Sequence, residues 1–260
     1  MAERTSRSSE TTKPKVIVCD DAESASLRAA NIFADSIRHN PSIVLGLATG
    51  GTPVGMYRNL AMMHREEVLD FSQVTTFNLD EYVGLAENHL QSYRYFMQQN
   101  LFDHVNVDRS KTHLPNGMTK NPDLHSREYE SQIAAAGGID LQLLGIGHNG
   151  HIAFNEPGST VDSRTRVVSL SEQTIDSNAR FFDSRSEVPR TAITQGIATI
   201  LDAREIVLLA TGESKAEVIA QVMTDAPNAD CPASFLQLHN NVQFVLDRAA
   251  ARHLGSNLPH

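Results

Sequence analysis

Short apolar runs at residues 16–18, 43–45, 141–144, 206–209 and 242–246, rich in Val, Ile and Leu, recur along the chain with helix-like stretches between them. Such runs suit strands buried on both faces, the condition inside a parallel sheet. The clearest helical stretch has Leu27, Ala30, Ala34 and Ile37 on one face and closes at His39, Asn40 and Pro41. Further helices are expected over 53–65, 92–100, 122–135, 189–200 and 214–223, and a further strand around Val74. Alternation of this kind implies right-handed βαβ units, and so an α/β fold: a doubly wound, mostly parallel, Rossmann-like sheet with helices on both faces. With 260 residues, 40% of them hydrophobic, the chain can enclose one such core. A single domain is expected over 15–252, between a disordered extension at 1–14 and a flexible tail at 253–260.

The formal charge of −9 argues against a nucleic-acid surface, so any anion site must be local. Cys19 and Cys231 are far apart and belong to no CxxC pair, which points to reduced thiols rather than to a disulfide framework or a zinc-thiolate site. The first fourteen residues lack the apolar run of a secretory signal, and no segment approaches the roughly 20 apolar residues of a membrane span. A cytoplasmic protein that binds neither membrane nor nucleic acid is expected.

Doubly wound sheets bind ligands beyond the carboxyl ends of their strands, so the loops after the strands carry the chemistry. Residues 46–53 (GLATGGTP) place Gly50 and Gly51 between Thr49 and Thr52, with Pro53 opening a helix. This is either an anion cradle, with open backbone, two hydroxyls and a helix N-terminus, or an ordinary strand-to-helix turn; the lysine of a Walker loop is absent. Residues 76–84 (TFNLDEYVG) end an apolar run on two acids. Either Asp80 is a general base made more basic by partial burial, or it caps a turn beside a solvated Glu81.

Residues 145–157 (GIGHNGHIAFNEP) match GxGxxG after a strand, but Pro157 and Gly158 forbid the long helix that a dinucleotide site requires. His148 and His151 miss the i, i+4 spacing of a helical zinc site, so no metal is expected. What remains is His151 with Glu156 nearby, able to shuttle protons near neutral pH or else merely a structural histidine beside a surface glutamate. Arg180 and Lys215 are counter-charges for an anion at the glycine loop, or simply solvated; Lys215 stands in the first turn of a helix, where a cation opposes the helix dipole and needs a local reason.

These three loops together resemble the glucosamine-6-phosphate deaminase family, and the likeness continues through 163–166 (SRTR), 178–182 (NARFF), Pro189, 194–197 (TQGI) and Lys215, nearly the whole chain beyond the extension. The resemblance implies a Rossmann-like domain and conversion of glucosamine 6-phosphate and water to fructose 6-phosphate and ammonia, with no cofactor and an amino-sugar phosphate as the small-molecule partner. By that likeness Asp80 is the base that moves the proton between C2 and C1. His151, assisted by Glu156, opens the sugar ring, and Gly50, Gly51, Thr52, Arg180 and Lys215 bind the phosphate.

Two departures from the family pattern stand out. Asn149 occupies a position of the catalytic set where many members carry Asp, so carboxylate support for His151 is expected from Glu156, with a shorter proton relay. Regulated members carry a lysine two residues after the position of Arg166, where this chain has Val168, which argues against allosteric activation and the hexamer associated with it; a homo-oligomer of another kind stays open. Alternatives are the galactosamine epimer as substrate, a sugar-phosphate lactonase, or a non-catalytic sugar-phosphate sensor. Against the sensor, about fifteen residues before the first strand are too few for a helix-turn-helix.

Overall fold

The structure is a computed structural model that describes residues 14–255, apart from the side chains of Ser177 and Phe181. The expected extension and tail lie outside the described residues, except for Pro14 and residues 253–255. In chain order the elements are β1 (Lys15–Cys19), α1 (Ala22–His39), β2 (Val44–Leu47), α2 (Val54–Arg65), β3 (Thr75–Asn78), β4 (Asp80–Tyr82), α3 (Tyr93–Asn100), β5 (Thr112–His113), α4 (Pro122–Ala135) and β6 (Leu141–Leu144). They continue with β7 (Arg166–Ser169), α5 (Glu172–Asn178), β8 (Thr191–Thr194), α6 (Ile197–Leu201), β9 (Glu205–Ala210), α7 (Ala216–Thr224) and β10 (Val242–Asp247).

Seven strands form one parallel sheet in the order β1-β10-β9-β6-β2-β3-β5. All five apolar runs lie in it or overlap it, and their side chains join Phe33, Tyr57, Leu60 and Tyr129 from α1, α2 and α4 in one large core. From β2 the chain builds outward through β3 and β5, then returns to lay β6 on the other side of β2 and proceeds through β9 to β10. Strand order therefore reverses between β2 and β6. The loops leaving these two strands flank a crevice, the usual ligand site of such sheets.

Local sequence explains most of the helices. Asp21, Ser92, Asn121 and Ser171 cap α1, α3, α4 and α5 by accepting a backbone N–H three residues on, and Pro122 opens α4 where its missing N–H costs nothing. Two expectations fail. Leu27 lies off the buried face of α1, 41% exposed, because Ala25, Ser26, Ala29, Ala30 and Phe33 make the contact with the core. The helix expected over 189–200 is instead strand β8 followed by the short α6. Ile193, Ile197 and Ile200 have helical spacing, but Thr191, Ile193 and Thr194 are β-branched, and Ala192, Ile193 and Thr194 pair with partners on both sides. Gly196 then turns the chain so close to the Ser163 carbonyl that a side chain there would strike it.

Those partners form a second sheet, antiparallel and in the order β4-β8-β7, that the sequence did not announce. It carries its own small cluster of Tyr82, Phe154, Leu170, Ile175, Val188 and Ala192. The two sheets meet at Leu79, whose N–H donates to the Leu47 carbonyl in the large sheet while its carbonyl accepts from Gln195 N–H beside the small one. Asp80 is the first residue past that junction.

Candidate active site

A cleft of about 520 Å³ opens where the loops after β2 and β6 face the start of β4, α5 and the N-terminus of α7. On one side the β2 loop runs through Thr49, Gly50, Gly51 and Thr52. Tyr57 of α2 donates to the Ala48 carbonyl at 2.6 Å and pins the loop's start. Gly50 has φ +98°, a conformation open essentially to glycine alone, and nothing lies within 4 Å of where side chains at Gly50 or Gly51 would be. The loop thus presents bare backbone to the cleft just ahead of a helix N-terminus.

Two cations also border the cleft. Lys215 directly precedes α7, and burial lowers its ammonium below the ordinary lysine value. It is near enough to depress His148, by its charge first and burial second. The turn before it is fixed by Asp247, whose carboxylate accepts Gly212 N–H at 2.9 and 3.1 Å and Ala250 N–H at 2.7 Å. Arg180, on a short helical turn after α5, also lines the cleft.

Asp80 lines the cleft from β4 at 5% exposure, and burial, reinforced by the charge of Glu81, raises its carboxyl well above the usual range. It pairs with Thr194 and caps no turn. Glu81 is not solvated but 2% exposed, its carboxylate turned toward the N-terminus of α3.

His151 lies over Gly147 so closely that any side chain there would overlap the imidazole. Its Nδ1 is 2.7 Å from Asn149 Oδ1, while Asn149 Nδ2 donates to Glu156 Oε2 at 2.7 Å. Because the amide nitrogen faces the carboxylate, its oxygen faces the ring, and the neutral imidazole is assigned the Nδ1–H tautomer with Nε2 left for a ligand. Direct approach of Glu156 to His151 is 3.7 Å, so the hydrogen-bonded connection between acid and ring runs through the Asn149 amide. Burial lowers the His151 pKa, the Glu156 charge opposes this, and Lys215 and His148 lower it further.

Asp80, Asn149, His151, Thr49, Gly50, Gly51, Thr52, Arg180 and Lys215 thus border one cleft, with Glu156 behind His151 outside the lining. Sequence reasoning missed the groups that hold Glu156 and α5. Ser171 donates to Glu156 Oε1 at 3.2 Å, Thr174 donates to the same oxygen, and Asn178 Nδ2 donates to the Tyr82 hydroxyl at 2.9 Å. Ser171 is legible as a helix cap, but nothing local says which carboxylate it meets. Tyr93 and Phe154, stacked at 6.0 Å, were missed for the same reason and line the cleft wall.

Comparison with known proteins matches residues 20–245 to the family model of glucosamine-6-phosphate isomerases/6-phosphogluconolactonase. A glucosamine-6-phosphate deaminase of Rhodopirellula baltica is 56% identical over 237 residues, covering 91% of this chain and 94% of its own length. One of Clostridium perfringens is 51% identical over 238 residues, covering 92% and 98%. Among solved structures, a monomeric glucosamine-6-phosphate deaminase superposes with a TM-score of 0.90 at 46% identity, over 92% of this chain and 99% of that one. A match of this extent, on a parallel sheet whose switch-point crevice holds these residues, makes the chain a member of the glucosamine-6-phosphate isomerase/6-phosphogluconolactonase family.

Proposed function

We propose that the protein is a glucosamine-6-phosphate deaminase, with residues 15–252 acting as one α/β domain. The observation that carries this reading is the convergence on one cleft of a bare glycine loop with two cations, a buried carboxylate and a histidine in a defined tautomer. The phosphate belongs on Gly50, Gly51, Thr49 and Thr52, countered by Lys215 and Arg180. Held there, the sugar presents its far end to the other groups, and phosphate binding remote from the reacting carbons supplies energy to hold the open chain in a reactive pose.

Ring opening falls to His151. The Nε2 lone pair of the neutral imidazole takes the proton of the anomeric hydroxyl and returns it to the ring oxygen as the C1–O5 bond breaks. The transient imidazolium is supported by Glu156 through Asn149. Asp80 then takes the C2 proton and delivers it to C1, turning aldose into ketose imine, and water added at C2 releases ammonia. Every step is proton transfer or hydration, which is why no cofactor is assigned.

The test is ammonia release from glucosamine 6-phosphate and galactosamine 6-phosphate, run beside hydrolysis of 6-phosphogluconolactone. The expected result is release from the gluco epimer at the higher kcat/KM, with no lactone turnover. Preference for the galacto epimer would change the substrate, lactone hydrolysis alone would change the reaction, and binding without turnover would make the protein a sensor.

A further inference from the structure

Glu81 is a buried carboxylate that the steps above do not use. Side chains alternate along a strand, so Asp80 faces the cleft and Glu81 the opposite side of β4. There Glu81 Oε1 accepts the N–H groups of Tyr82 and Tyr93, each at 2.9 Å, and Oε2 accepts that of Arg94 at 3.0 Å. Tyr93 and Arg94 are the first two residues of α3, so the carboxylate answers helix N–H groups that have no partner within the helix. Arg94 carries the connection onward, its Nη1 donating to Thr112 Oγ1 at 3.0 Å on β5, the edge of the large sheet. One side chain thereby ties the strand of Asp80 to α3 and, through Arg94, to the other sheet.

We propose that Glu81 is a positioning residue for the reaction: from the far side of β4 it fixes the strand that carries Asp80 and holds a negative charge behind the base. The inference rests on the reading of Asp80 as that base. A carboxylate of ordinary strength is a poor match for a proton on carbon, and a second carboxylate next to it makes removal of its own proton harder and its affinity for another greater. Burial pushes Glu81 itself up to about 7, restrained by the N–H groups of Tyr93, Arg94 and Tyr82 and by the Arg94 charge. The other titratable groups packed around the pair are Tyr82 on the same strand, Tyr93 on α3, Tyr129 on α4 and, beyond Arg94, His113 on β5. Burial raises all three tyrosines and lowers His113, so all four are neutral near pH 7 and Arg94 is the facing charge.

Glu81→Gln is the discriminating variant, because Oε1 of the amide retains the bonds from Tyr82 and Tyr93 while the charge is lost. Activity falls at low pH as the base is protonated, and removing a neighbouring negative charge lets the base stay ionised further down. The expected outcome is a folded protein with KM unchanged, an acid limb of kcat moved about one pH unit lower and a plateau reduced about 10-fold. Glu81→Asp, which keeps the charge on a shorter arm, should lose rate without that displacement of the limb. An unmoved limb in folded Glu81→Gln, with or without loss of rate, would overturn the proposal by leaving Glu81 structural only. Should the variant not fold, the wild-type enzyme with ¹³C-carboxyl aspartate and glutamate decides. The Asp80 signal, identified by its absence in Asp80→Asn, should bend in two steps as Glu81 titrates, and a single-step curve overturns the idea. Survival of C2 hydrogen exchange in Asp80→Asn would instead sink the assignment of the base, and this proposal with it.

Discussion

A carboxyl group costs stability when it ionises in a buried place, and Asp80 is such a group. Its folded-state pKa lies above the unfolded value near 3.8, so between those two values the folded state holds the extra proton and stability falls as pH rises. Glu81 adds to the same trend between its ordinary 4.5 and about 7. Asp80→Asn, close in size and unable to ionise, should therefore melt higher than wild type at pH 8, by roughly 2–4 °C per kcal/mol relieved, with the gap closing as pH falls toward 4. A variant that melts lower at pH 8 would contradict that reading of the site. The same substitution should reduce kcat by roughly 10²–10⁴-fold and abolish exchange of the C2 hydrogen with deuterated solvent, while phosphate still competes for the cleft. Near-normal exchange would move the base to another residue. Glu81 is a poor replacement, since its carboxylate is committed to the three N–H groups on the far side of β4.

At the scale of elements, each loop draws its function from the strand or helix it joins. The β2 loop can leave its backbone bare because α2 begins directly after it and Tyr57 anchors it from below. Lys215 stands at the start of α7, where the helix dipole disfavours a cation and a bound anion would compensate it. Lys215→Ala and Arg180→Ala should each raise KM and the inhibition constant of inorganic phosphate together, by about 10- to 100-fold for a lost charge-assisted contact. Phosphate competition unchanged in both would put the anion elsewhere. Helix α5 is bound to the site by side chains, through Ser171 and Thr174 to Glu156 and through Asn178 to Tyr82. Its position and the orientation of Glu156 are consequently one structural unit.

Across the whole molecule, a net charge of −9 coexists with a cleft that gathers Lys215 and Arg180, so the proposed anion site is confined to the crevice rather than spread over the surface. Behind the His151 loop a second cavity of about 350 Å³ is bordered by Glu156, Ser159, Arg166 and Val168. Arg166 is engaged there by Asn155 Oδ1 at 2.8 Å and Ser159 Oγ at 3.3 Å, and Val168 brings no second cation. N-acetylglucosamine 6-phosphate should accordingly leave a hyperbolic substrate curve unchanged. A sigmoidal curve made hyperbolic by that compound would show that Arg166 suffices for an effector. Among the described residues no helix is long and apolar enough to cross a membrane.

The strands of the large sheet were legible because burial on both faces demands unbroken apolar runs, and the three loops were legible because they follow such strands, where ligands bind, and because together they match one family pattern. Asp80, His151, Lys215 and the glycine loop could thus be named from local chemistry strengthened by family likeness. The second sheet could not. Residues 191–200 satisfy a helical spacing and a strand composition alike, and only pairing with β4 and β7, residues far away in the chain, selects the strand. The same non-locality hid the burial of Glu81 and the support of Glu156, since a carboxylate's partners are set by which backbone N–H groups and hydroxyls fold against it. Sequence determined which residues could do the chemistry. Tertiary structure decided which carboxylate faces the cleft, which one stands behind it, and that an amide connects His151 to its acid, because a pKa and a tautomer are properties of surroundings that no single stretch of chain contains.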